Sequence, residues 1–104
     1  MTCGKVGAKV VQDGLVKVTS LNATNPANSH YLALVVEPAG TPGRDFHFYR
    51  RDCDGTWSHK VGNAPARNWD ESFNTITDPE ACDRGPYTVF CGYYRCNPSI
   101  VTIF

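Results

Sequence analysis

Neither sign of charge prevails in this chain: Lys plus Arg and Asp plus Glu number ten each, so no long-range field gathers a polyanion or an anionic bilayer. The only basic cluster, Arg50-Arg51, is followed at once by Asp52. Neither nucleic acid nor a membrane surface is therefore expected as a partner. No apolar run approaches the roughly 20 residues that span a bilayer, and the longest, Tyr31 to Val36, suits a buried strand. The opening Met1-Thr-Cys-Gly-Lys5 lacks a signal peptide's order of basic region, apolar core and small-residue cleavage site. The chain reads as soluble, either cytoplasmic or with a leader removed. Also missing are a Gly-x-Ser-x-Gly elbow, a Gly-rich phosphate loop and a His-Glu-x-x-His pair, which sets aside serine hydrolases, nucleotide enzymes and zinc proteases. With no Cys-x-x-Cys spacing there is no zinc-knuckle signature, and neither a metal nor any other cofactor is expected.

Five cysteines are present: Cys3, Cys53, Cys82, Cys91 and Cys96. The odd number leaves at least one free or paired between chains, and a disulfide among Cys82, Cys91 and Cys96 would indicate an oxidising compartment. With 104 residues, the chain is expected to form a single domain, residues 1–104.

Asp45 to Val61 is the most legible stretch. Phe46, Phe48 and Arg50 alternate with His47, Tyr49 and Arg51, the period of a strand with two unlike faces, and Trp57 and His59 share a face of the next strand. Asp52-Cys53-Asp54-Gly55 supplies the turn, since Asp side chains bond nearby amides and glycine tolerates a positive φ. A calcium loop is a poorer account of Asp52-x-Asp54-Gly55, because the remaining ligand positions are missing. Across this turn His47 lies either opposite His59 or on the other face, according to register. If opposed, the pair would need a third ligand such as Asp45 to hold a metal.

Elsewhere, Thr2 to Gln12 has Val6, Val10 and Val11 on one side and Asp13-Gly14 as a stop, which predicts a helix. Leu15 to Val18 predicts a brief strand, and His30 to Val36 an inner strand covered on both faces at the centre of the sheet. Asp78-Pro79 predicts a one-turn helix ended by Gly85-Pro86; Tyr87 to Tyr94 and Ile100 to Phe104 read as strands. The expected fold is α+β, one N-terminal helix against a mostly antiparallel five- or six-stranded sheet.

The candidate chemistry is that of a cysteine hydrolase. Cys3 falls in the first helical turn, where unpaired amides and the helix dipole favour a thiolate. His59 would be the base, and Asp70 or Asn68 would orient its ring. The competing structural readings are a thiol near a terminus and an imidazole packed beside Trp57 with one backbone partner.

The segments Asp45-Phe-His-Phe-Tyr-Arg50, Asp54-Gly-Thr-Trp-Ser-His-Lys-x-Gly62, Ile76-x-Asp-Pro79 and Asp83-Arg-Gly-Pro-Tyr-Thr-x-Phe-Cys-Gly-Tyr93 resemble the C-terminal part of an uncharacterised group of small proteins seen mainly in bacteria. Cys3-Gly-x-Val6 and Asp13-Gly-Leu15 extend the resemblance over nearly the whole chain. It implies a papain-like layout, with a cysteine near a helix start and His59 as the base. Members carry an upstream Asn-Cys-Tyr motif that this chain lacks. The expected function is thus a small papain-like cysteine hydrolase or amidase-type domain with a peptide or amide as substrate, either active with Cys3 in place of the upstream cysteine or truncated and inactive. One alternative is a binding module that engages peptide or carbohydrate through Tyr49, Trp57, Trp69, Tyr93 and Tyr94. Another is a structural or self-assembling protein using a sheet edge or an unpaired cysteine.

Overall fold

The computed structural model describes residues 2–22, 29–37, 46–60 and 65–97. They form helix α1 (Cys3–Gln12) and five strands: β1 (Val16–Val18), β2 (His30–Val36), β3 (Phe46–Arg51), β4 (Trp57–Ser58) and β5 (Val89–Cys96). All pairings are antiparallel, in the order β1-β5-β2-β3-β4, so the α+β expectation holds and β2 is central. The expected strand at Ile100 to Phe104 lies outside the described residues, as does Asp45. No helix among the described residues is long and apolar enough to cross a membrane.

The continuous apolar run of β2 becomes intelligible from its two neighbours in depth. Leu32, Leu34 and Val36 face α1 and pack with Val6, Val10, Leu15, Tyr94 and Cys96. Tyr31, Ala33 and Val35 point the other way, to Tyr49, Trp57 and Ile76. Each fully buried Leu or Val contributes about 1.5–3 kcal/mol of transfer free energy, so both covers are worth having. The second cover is the irregular segment 65–88, which contributes the fully buried Ile76.

Local chemistry explains the element ends. Thr2 caps α1, its hydroxyl accepting from Lys5 N at 3.3 Å, and the Asp13 amide closes the helix on Lys9 O. Gly7 weakens the helix but is required by proximity, because a Cβ there would meet the Tyr94 hydroxyl at 2.8 Å. The turn after β3 is closed by Asp52 N to Thr56 O at 2.7 Å, with Gly55 at φ 89°. Asp78 caps a turn, its carboxylate accepting from Glu80 N, and the amides of Ala81 and Cys82 both return to Asp78 O, the bonds of a single helical turn that does not continue into a regular helix. Strand β5 begins two residues later than expected, since Tyr87 and Thr88 still belong to a turn.

One irregularity in β5 organises the helix side. The β2–β5 register shifts between Leu34 and Val35, so that Leu34 faces Gly92 and Val35 faces Phe90. The extra residue is a β-bulge, and Gly92 takes φ 132°, which a side chain would oppose. The bulge turns Cys91 to the same side as Tyr94 and Cys96, while Phe90 and Tyr93 pack on the opposite side. Cys91 is thereby bonded to Cys3, 88 positions away, at the start of α1. The disulfide expected among Cys82, Cys91 and Cys96 is instead this one; Cys53, Cys82 and Cys96 are free.

A cross-link closing so long a loop removes much denatured-state entropy. Replacing both Cys3 and Cys91 by Ser is expected to lower stability by about 2–5 kcal/mol, read as a fall in the urea midpoint. An unchanged midpoint would show that α1 docks without the bond.

Candidate functional site

The three residues of the expected hydrolase site are not brought together as that chemistry requires. Cys3 is half-buried on the α1 side and its sulfur is bonded to Cys91, so it is no free thiolate. His59 packs on the opposite side of the sheet, with its ring centroid 4.8 Å from that of Tyr49. Asp70 is buried, but both carboxylate oxygens serve its own loop: Oδ1 accepts from Ser72 N at 2.9 Å and Asn74 N at 3.0 Å, and Oδ2 from Asp83 N at 3.1 Å. Burial alone would raise its pKa, but the amides of Asn74, Asp83 and Ser72 outweigh burial and hold the carboxyl below its ordinary value.

His59 does have partners. Arg51 pairs with Trp57 and Arg50 with Ser58, a register that continues to set Tyr49 across from His59, with His47 on the same face. His59 Nε2 lies 2.9 Å from the carbonyl oxygen of Trp69, which can only accept, so Nε2 carries the hydrogen. Nδ1 is then an acceptor for His47 Nε2, also at 2.9 Å. Arg67 Nε, 3.3 Å from Nε2, faces a nitrogen that already bears hydrogen and acts there as a nearby positive charge. Arg67 also joins Glu71 at 2.8 Å and lies over the Trp69 ring. Tyr87 stacks on His47, with centroids 5.1 Å apart. Burial, with Arg67, lowers the His59 pKa against the opposing pull of the Trp69 carbonyl, Glu71 and Asp70. Both ring nitrogens of His59 are thus engaged, Nε2 as donor to Trp69 and Nδ1 as acceptor from His47. Asp45, the third metal ligand envisaged for an opposed pair, is outside the described residues, and no group of three metal-ligating side chains occurs among those described.

The residue that orients His59 is thus Trp69, through its backbone, one position before the expected Asp70. Asp70 acts on the hairpin that follows. Trp69 and Thr75 form an isolated bridge, Phe73 N donates to Asp70 O at 3.0 Å, and Asp70 N to Asn74 O at 2.9 Å. This is a three-residue hairpin whose third loop position takes a left-handed conformation, usually filled by Gly. Here Phe73 occupies it, with φ 65° and 81% exposure. A bulky residue in that region is a strained one. Ser72 Oγ to Asp83 Oδ2 at 2.6 Å and Glu71 N to Asp83 O at 3.1 Å fasten the hairpin to the next turn. Arg84 secures that turn in the complementary way, donating to the carbonyls of Tyr87, Pro79, Glu80 and Thr88. Of the aromatic surface considered for a binding module, Tyr49, Trp57 and Tyr94 are core residues, whereas Trp69 is 41% exposed beside Phe73.

A groove of about 610 Å³ lies near His59. Leu32, Phe46 and Phe48 supply its apolar wall, Arg50 and Lys60 its charged rim, and exposed Ala66 sits at its lining. Among the described residues that line it there is no Asp or Glu.

Two expectations follow from the geometry. A depressed folded-state pKa means that the unfolded chain binds more protons, so the His59 contribution is complete above about pH 6.5 and is lost as pH falls through the folded value. His30, also lowered, by burial and Arg50 against Asp52, acts in the same direction. The urea midpoint should therefore fall between pH 7 and pH 5, and less steeply in His59→Gln; equal slopes would contradict the burial argument. Phe73→Gly should relieve the left-handed strain and raise stability by about 1 kcal/mol, or about 4–8 °C in Tm. A lower Tm would mean that the phenyl ring has packing value in the monomer.

Comparison with known proteins corrects the functional expectation. The chain is 44% identical over 95 residues to "Insoluble matrix shell protein 1" of Ruditapes philippinarum, a match covering 91% of the chain and 60% of the relative. It thus spans about three-fifths of the length of the curated relative it matches. No protein-family model matches the chain, and no solved structure matches it. The expectation of a papain-like cysteine hydrolase of bacterial type is overturned by this similarity to a shell matrix protein, in keeping with the oxidised state of Cys3.

Proposed function

We propose that this chain is a structural module that self-associates within an insoluble matrix. The observation that carries this reading is the 44% identity, over 91% of the chain, to a protein named for its place in an insoluble shell matrix. Three physical features support it. The Cys3–Cys91 bond suits an oxidising setting, where a covalently closed domain withstands local opening. The formal net charge is zero at pH 7, so copies do not repel one another at neutrality. Large apolar side chains stand exposed, with Phe73 and Trp69 on one hairpin and Val16 and Val89 at the β1 side of the sheet.

Short edges limit uncontrolled sheet extension. β4 has two residues and β1 three, and Lys17 Nζ donates to Cys91 O at 3.1 Å on the stretch of β5 beyond β1. Association through side-chain surfaces, with the fold intact, is the mode that this arrangement favours.

Sedimentation velocity of the oxidised chain near pH 7 tests the reading. The test is best made on Cys53→Ser, which removes the exposed thiol at the β3–β4 turn and with it covalent artefacts. Average mass should rise with concentration and fall when pH is moved away from the sequence isoelectric point of about 6.8. A chain that stays monomeric up to its solubility limit at neutral pH would refute the structural role.

A further inference from the structure

We infer that the Phe73 hairpin of one copy docks into the groove between β3 and residue 66 of a second copy, giving a head-to-tail contact that repeats. This deepens the self-association proposed above and rests on it. The occupant is a second copy of this chain because the two surfaces differ and complement each other.

The projecting surface is Phe73, strained at φ 65° and 81% exposed, with Trp69 on the same hairpin. Its backbone is held by Asp70, so little conformational freedom is lost on docking. Beside it stand two exposed carboxylates, Glu71, which also pairs with Arg67, and Asp83, fastened to the hairpin through Ser72. Phe73 does not fill the groove of its own chain, being almost fully exposed.

The receiving surface is the 610 Å³ groove, large enough for one or two aromatic side chains. Its wall of Leu32, Phe46 and Phe48 is apolar, and Arg50 and Lys60 make its rim basic. Arg50 is only weakly engaged within the chain, 3.7 Å from Asp52 with its side chain 56% exposed. The exposed carboxylates of Glu71 and Asp83 beside an aromatic tip thus meet a basic rim around an apolar wall, the arrangement that sets orientation in association.

Because tip and groove are different parts of one chain, the contact is heterologous: each copy offers one of each, and repetition yields rings or open filaments. One hairpin in one groove is a small interface, so each contact is reversible and growth depends on concentration.

The test uses two surface variants in the Cys53→Ser background. Phe73→Ser keeps the groove and loses the tip; Ala66→Trp keeps the tip and fills the groove from an exposed position. Each alone should sediment as a single chain under conditions where the parent assembles, and an equal mixture should form two-chain complexes and nothing larger. Assembly of either variant alone to the parent's size overturns the inference, as does a mixture that stays monomeric. Phe73→Gly guards against misfolding, since it should lose assembly while its Tm rises; loss of assembly with a lowered Tm counts against docking. If the parent itself never assembles, the structural role falls with the docking surface, whereas a parent that assembles unaffected by these changes leaves that role standing and removes only this surface.

Discussion

Strand β2 is buried on both faces, and this constraint shapes the rest of the molecule. A central strand of His30-Tyr-Leu-Ala-Leu-Val-Val36 cannot leave either side to water without exposing a row of large apolar groups. The chain meets the two demands by different means. On one side lies an amphipathic helix, and on the other a long segment with almost no regular structure.

Each cover has its own fastening. The helix is short and carries Gly4 and Gly7, so propensity alone would hold it poorly. Its N-terminus is tied by Cys3 to Cys91, and the Gly92 bulge is what turns Cys91 toward it. The irregular cover is held by two opposite charges: the Asp70 carboxylate collects backbone amides, and the Arg84 guanidinium collects backbone carbonyls. Between them they satisfy groups that a helix or sheet would otherwise pair. The hydrogen-bonded pair of His47 and His59 completes this side by anchoring the Trp69 carbonyl to the sheet. Residues that resemble an active site are here the supports of a loop, and what that loop presents outward is Phe73.

Much of this organisation was legible locally. The helix at Cys3–Gln12, the double-faced β2, the Asp52 to Gly55 turn and the alternating faces of β3 all follow from period and turn chemistry over a few residues. Of the two readings of His59, the competing structural one named a backbone partner, and the ring bonds the Trp69 carbonyl. Less was legible where distant segments meet. The bulge at Gly92 was not read from the β-rich run, and its consequence for Cys91 depends on which face β2 gives to the helix. Asp70-x-Ser72-x-Asn74 marks a turn, yet nothing in the local pattern says that Phe73 must take the left-handed position.

By itself, then, the sequence determined the fold class, the positions of helix and hairpin, and the neutrality that removes any polyanion-seeking field, because these depend on neighbours in the chain or on composition. Only the tertiary structure decided that Cys3 is a cross-link instead of a nucleophile, that Asp70 builds a loop instead of orienting a base, and that an aromatic tip and an apolar groove coexist on one chain. Those outcomes depend on the register between β2 and β5 and on the packing of residues 65–88 against the sheet. A one-residue shift in pairing reverses the direction of every side chain beyond it, and local composition does not encode such a shift.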